Sequence, residues 1–272
     1  MGQIIINPSV EALAQCLDAG TDGQSMVGLE KVLPIRRGEG APLVCINPAS
    51  GFSWLYTGLL RYLGGSYPII GLQSPVDGGA IATAKTMDEA CDMYYDELKK
   101  VQPHGPYHLT GYSFGGNVAH TLAVRLQAEG EEVAFVGLFD TYPTECQDWD
   151  AAMNEEVAEK EKAAFLEEKN GDGAPEMSEA QKAMLADVDA NYGYAVGIMA
   201  TAKTTYYSGR VHLFVADQTF PDFDIEEVWS QYAGELTQLH IDTRHQDILE
   251  PETLKIVGPM LDRAIRNDTQ LN

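Results

Sequence analysis

From Pro42 onward the chain alternates between short, nearly continuous apolar runs and longer stretches whose apolar residues recur at helical spacing. PLVCINP (42–48) reads as a strand, GFSWLYTGLLRYL (51–63) as a helix, and YPIIGLQSP (67–75) as the next strand. Thr86-Met87-Asp88-Glu89 is a capping box and opens a helix running to about Val101. A strand starting at Tyr107, a helix to Gln127 and the apolar strand VAFVGLFD (133–140) continue the alternation. Strands apolar on both faces belong to parallel sheets covered by helices on each side. The pattern therefore predicts a mostly parallel, doubly wound α/β sheet.

The alternation breaks after Asp140 for roughly 70 residues, far beyond an ordinary connection, before VHLFVAD (211–217) resumes it. A charged helix (about 152–169), the loop NGDGAP and a longer helix from about Ser178 to Thr201 fill the gap, the last opened by a second capping box, Ser178 to Gln181. From Asp148 to Asp189 thirteen carboxylates face four lysines. An apolar stripe, Met184, Leu185, Val188, Tyr192 and Ala195, runs at near-helical spacing. Ligands of open α/β sheets bind at strand C-termini, so an insertion placed there is expected to cover the site as a lid. The chain closes with strand LTQLHID (236–242), the loop TRHQDILEPE and a terminal helix at about 252–266. Ahead of the alternating region lie one helix over 7–18, capped by Asn7 with Pro8 in its first turn, and two polar linkers around an extended piece at Val32–Ile35.

Composition narrows the class. The 272 residues are 44% hydrophobic and carry a formal charge of −23. So acidic a chain is repelled by phosphate backbones and anionic lipid, which excludes nucleic acid as a substrate and a membrane surface as a partner. Cys16, Cys45, Cys91 and Cys146 have no ligand-like spacing and read as reduced thiols, with no metal site. No secretory signal and no apolar run of about 18 residues occurs, so the expectation is a soluble, cytoplasmic protein.

The chemistry centres on Tyr107–Gln127. Gly111-Tyr112-Ser113-Phe114-Gly115 is a G-x-S-x-G sequence between a strand and a helix, the context of a nucleophile elbow. A serine becomes a useful nucleophile when it is exposed and near a base. Such enzymes take their triad in the order Ser, Asp or Glu, His. His212 and His240 fall within strands, whereas His245 sits in a loop just past a strand end. Asp140 and Asp217 each end a strand at the correct sheet edge, and spacing does not separate them. Oxyanion donors would be the N–H of Phe114 and one from the loop Asn47 to Gly51, where Pro48 has none and Ala49 is the candidate.

NPASGFSW (47–54), IIGLQSP (69–75), QPHGPYHLTGYSFGG (102–116), VAFVGLFD with its flank TYP, NYGYAV (191–196) and LFVAD (213–217) resemble the thioesterase domains that end non-ribosomal peptide synthetases. The resemblance covers the run from Leu33 to the C-terminus in the right order. It implies an α/β-hydrolase fold over 29–272 with a lid at about 145–205. It also implies Asp140 as the acid, and an acyl or peptidyl substrate delivered on the phosphopantetheine arm of an upstream peptidyl carrier domain. No cofactor of the domain's own is expected. NPSVEALAQCLDA resembles the last helix of a carrier domain, so residues 1–28 are expected to be a carrier remnant plus linker. Two departures stand out: Asn47-Pro48 where the family commonly has His-Pro, and no carrier attachment serine. Leu63-Gly64-Gly65-Ser66 imitates that serine motif but leads into a strand, so it reads as a turn. The carrier-like helix argues against a free-standing editing thioesterase, and an intact Ser113, Asp140 and His245 set argues against a non-catalytic binding module.

Overall fold

The computed structural model describes residues 30–74, 76–77, 80–81, 84–146, 179–219 and 224–271. The expected carrier remnant at 1–28, the helix at 152–169 and the NGDGAP loop lie outside them. Seven strands form one sheet: β1 (Val32–Arg36), β2 (Leu43–Ile46), β3 (Ile69–Leu72), β6 (Tyr107–Tyr112), β7 (Val133–Phe139), β8 (Tyr207–Ala216) and β9 (Ala233–Ile241). Two short strands, β4 (Val76–Asp77) and β5 (Ala80–Ile81), pair separately as an antiparallel hairpin. The α-helices are α1 (Met87–Val101), α2 (Phe114–Ala128), α3 (Glu179–Met199), α4 (Ile225–Trp229) and α5 (Pro251–Leu271).

The sheet order is β1-β3-β2-β6-β7-β8-β9. All neighbours are parallel except β1, which runs antiparallel on β3. The piece at Val32–Ile35, expected as an extended stretch between linkers, is thus an edge strand of the main sheet. Its Leu33 and Ile35 are buried, which ties it down.

Period-two alternation within the apolar runs feeds two cores. Val44, Ile46, Leu109, Val136, Leu138, Leu213 and Val215 point to one face, beneath α1 and α2. Leu43, Cys45, Phe135, Phe139 and Phe214 point to the other, beneath α5 and the segment Trp54–Arg61. That segment, expected as an α-helix over 51–63, is a 3-10 helix. Its bonds include i to i+3 pairs such as Tyr62 N–H to Leu59 C=O, and the Ser53 hydroxyl donates to the Leu72 carbonyl at 2.7 Å and does not cap it. At α1 the Thr86 side chain accepts from Glu89 N–H as expected. The Glu89 carboxylate reaches Lys85 N–H, one residue before the reciprocal partner of a standard box. The turn at 63–66 leads into β3. Helix α4 was not anticipated; Asp224 caps it by accepting from Glu227 N–H.

Because the chain steps from β2 to β3 on one side and then to β6 on the other, the winding reverses between β2 and β6. In such sheets the crevice outside the carboxyl ends of the strands at the reversal is where ligands bind. The carboxyl ends here are Asn47 after β2 and Ser113 after β6.

His120, in the middle of α2, is 1% exposed, edge-on to Trp229 and hydrogen-bonded through Nε2 to the Tyr232 carbonyl. Since a carbonyl only accepts, the ring carries its proton on Nε2. Burial pushes its pKa down from 6.5 to about 4. The folded value lies below the unfolded one, so the unfolded chain binds the extra proton and stability falls as pH drops from about 6.5 to about 4. The loss over that window amounts to about 3 kcal/mol. Urea unfolding of wild type and His120→Gln between pH 7 and 4 should show a shallower decline for the variant, and parallel curves would contradict the assignment.

Candidate active site

Every parallel strand of the sheet delivers its carboxyl end to one edge, and the chemistry-bearing residues collect there. Ser113 follows β6 with φ 56 and ψ −122, and its N–H donates to the Phe139 carbonyl at 3.0 Å. Asp140 follows β7 with φ 40. Among the described residues these are the two non-glycine positions in the left-handed region. Such strain persists only where the surroundings enforce it, and it clusters at functional sites.

Close packing enforces the turn at Ser113. A Cβ on Gly115 would lie 2.4 Å from the carbonyl oxygens of Ile46 and Asn47, and one on Gly116 would lie 1.9 Å from Thr141 Oγ1. The start of α2 therefore sits directly against the end of β2 and the residue after Asp140. Helix α2 opens at Phe114, whose N–H is among those without an intrahelical acceptor.

Asp140 has no exposed surface. Its Oδ1 accepts from Ala216 N–H at 3.0 Å and the Tyr142 hydroxyl at 3.2 Å. Its Oδ2 accepts from the Thr219 hydroxyl at 2.8 Å and faces His245 Nδ1 at 2.7 Å. Burial, and then the Asp140 charge, push the Tyr142 phenol up, so it stays a neutral donor. His245 is also buried, at 3% exposure. Tyr112, next to Ser113, donates its hydroxyl to the His245 carbonyl at 3.1 Å, and the two rings lie 4.8 Å apart. The loop after β9 is held across the end of β8 by Asp217 N–H to Ile241 C=O and Gln218 N–H to Thr243 C=O, at 2.9 and 3.0 Å.

The two acids left open by strand spacing are separated by their partners. Asp217 Oδ1 lies 2.6 Å from Nδ1 of His240, a half-exposed surface pair. His212 is buried and stacked on Phe135. Thr219, Tyr142 and Tyr112 were not singled out beforehand. Their only sequence signal is position, since each lies within three residues of a strand's carboxyl end.

Ala49 sits, buried, in the loop after β2. Ala49 and Phe114 share an apolar cluster with Val188, Tyr192 and Ala195 of α3. Those three are the described part of the expected stripe, which Ile198 and Met199 extend; the side chains of Met184 and Leu185 lie outside the described residues. Cys45 and Cys91 are free and buried, and burial pushes both thiols up. Among the described residues no group of three or more His, Cys, Asp or Glu could hold a metal ion, and no helix is long and apolar enough to cross a membrane.

Known proteins are similar to this chain in sequence and in fold. Vanchrobactin synthetase VabF of Vibrio anguillarum is 48% identical over 277 residues, covering all of this chain and 10% of the relative. Enterobactin synthase component F of Escherichia coli K12 is 39% identical, covering 98% of this chain and 21% of the relative. The chain thus spans a tenth to a fifth of the length of these relatives. The NocB thioesterase domain, solved in covalent complex with a fluorophosphonate nocardicin G analog, superposes with a TM-score of 0.67 at 26% identity, over 84% of this chain and 96% of that one. The α/β-hydrolase fold with its mostly parallel seven-stranded sheet is shared with such domains. A model of the thioesterase domain family matches residues 41–262, and the chain belongs to that family.

Proposed function

We propose that this chain is the chain-terminating thioesterase domain of a non-ribosomal peptide synthetase. It takes an acyl or peptidyl chain from the phosphopantetheine thioester of an upstream carrier domain onto Ser113, then releases it. The observation that carries this reading is the buried contact of 2.7 Å between His245 Nδ1 and Asp140 Oδ2, at the same sheet edge as the strained Ser113 turn.

An acceptor carboxylate on Nδ1 leaves Nε2 of the neutral ring as the basic nitrogen. In the first half-reaction Nε2 takes the Ser113 hydroxyl proton while Oγ attacks the thioester carbonyl carbon. The oxyanion that forms is held by the Phe114 and Ala49 N–H groups, assisted by the positive end of α2. As the C–S bond breaks, His245 returns the proton to the departing thiolate, leaving an ester on Ser113. In the second half-reaction the same nitrogen deprotonates water or a hydroxyl or amine of the bound chain. Attack by that group on the ester carbonyl breaks the bond to Ser113 Oγ, His245 returns the proton to Oγ, and the chain leaves as a linear acid, a lactone or a lactam.

Helix α3 serves in this reading as part of a lid, limiting water so that an internal nucleophile can compete. The hydrogen bond from Asn191 Nδ2 of α3 to the Ser50 carbonyl, next to Ala49, supports that placement. The upstream carrier domain is the partner, and no cofactor of the domain's own enters the steps.

Turnover of synthetic acyl-pantetheine thioesters, with products identified by mass spectrometry, tests the reading and reports hydrolysis against cyclisation. Ser113→Ala should lose activity by several orders of magnitude with little change in Tm, because the nucleophile is gone and the turn is kept. Near wild-type turnover by that variant would refute a serine mechanism. Asp140→Asn should lower kcat on the order of 10⁴-fold by disturbing the tautomer of His245, while Asp217→Asn stays within a few-fold of wild type. The reverse order of effects would move the acid to the end of β8.

A further inference from the structure

The loop carrying Ala49 is a four-residue turn, and its hydrogen bonds determine where the Ala49 N–H points. The Pro48 carbonyl accepts from Gly51 N–H at 3.0 Å and from Asn47 Nδ2 at 2.7 Å. Pro48 C=O and Ala49 N–H belong to one planar trans peptide, so holding the carbonyl aims the N–H the opposite way. Asn47 is buried, and its Oδ1 accepts from the Tyr94 hydroxyl at 2.9 Å, which fixes the orientation of the amide.

The other end of the turn is held from α3. Asn191 Nδ2 donates to the Ser50 carbonyl at 3.1 Å. Gly51 has φ +88, and a Cβ there would fall 2.2 Å from Asn191 Nδ2 and 2.6 Å from its Cγ, so the amide fills the space that a side chain at Gly51 would take. Asn191 is 3% exposed, next to buried Tyr192 and one turn from Val188 and Ala195. An asparagine buried in mid-helix is a poor helix former and costs desolvation unless its amide is bonded. Here it bonds to the turn.

We propose that Asn191 and Asn47 are positioning residues for the oxyanion donor at Ala49, and that Asn191 makes the placement of the helical insertion a determinant of transition-state binding. Asn47 fixes the Pro48–Ala49 peptide plane from the sheet side, and Asn191 holds Ser50 and Gly51 from the α3 side. An α3 helix displaced from the loop releases Ser50 and lets the Ala49 N–H swing away from the reacting carbonyl. The proposal rests on the serine thioesterase reading above, with Ala49 as an oxyanion donor.

The experiment compares wild type, Asn191→Ala, Asn191→Asp and Asn47→Asp on an acyl-pantetheine thioester, with Ser113→Ala as a control. The two aspartates keep shape and remove the donor, so they serve where the alanine variant fails to fold. Each variant is expected to lower kcat about ten- to a hundredfold with KM nearly unchanged, as for a misplaced transition-state contact. The infrared C=O stretch of a stable ¹³C-labelled acyl-Ser113 ester should move to higher frequency, because it loses hydrogen bonding at the carbonyl oxygen. Lower stability alone would not shift that band. Wild-type kcat and an unshifted carbonyl band in Asn191→Asp would overturn the proposal while leaving the enzyme reading intact. Turnover that survives in Ser113→Ala would instead overturn the enzyme reading.

Discussion

A carboxyl group with no exposed surface must have its oxygens satisfied from within the protein, or the fold loses several kcal/mol. Asp140 meets this condition through a backbone N–H, two hydroxyls and an imidazole drawn from four places in the chain: Ala216 at the end of β8, Tyr142, Thr219 and His245. Tyr142 comes from the loop after β7, Ala216 and Thr219 from the end of β8 and the loop after it, and His245 from the loop after β9. The loops after β7, β8 and β9 are therefore bound to one another through one side chain. The same contact aims His245 beside the elbow, so the geometry of the proposed base follows from a burial constraint.

The elbow depends on a second constraint, the space between α2 and the ends of its neighbours. Glycine at 115 and 116 lets the helix start against the backbone of Ile46 and Asn47 and against Thr141. That approach brings Ser113, the loop of Ala49 and the residue after Asp140 together at the reversal of the winding. It also explains why two adjacent strand ends carry non-glycine residues at positive φ. Strain at Ser113 and Asp140 is tolerated because the sheet on one side and α2 on the other leave no alternative backbone path.

Helix α3 belongs to this arrangement. Its buried residues join the core on the face of α1 and α2, and one amide reaches into the turn after β2. An insertion that shares its core with the catalytic face can report its own position to that face.

Local sequence determined the elements. Apolar runs, caps and the G-x-S-x-G turn depend on neighbours within a few residues, so they were legible as strands, helices and an elbow, and strand C-termini marked the functional edge. The resemblance to synthetase thioesterases added the family and a preference for Asp140. Tertiary structure alone decided the rest. Asp140 and Asp217 occupy equivalent positions on adjacent parallel strands, and only the path of the loop after β9 across the end of β8 pairs one with His245 and the other with His240. The segment at 54–61 carried a helical pattern and folds as a 3-10 helix, with Ser53 bonded across to Leu72. The extended piece at Val32–Ile35 could not be assigned to the sheet from the sequence, because its ladder partner lies more than thirty residues away. Asn191 stood in a recognisable motif, but its target at Ser50 is 141 residues distant. Contacts across such separations leave no periodicity in the chain, since they are fixed by how the layers pack.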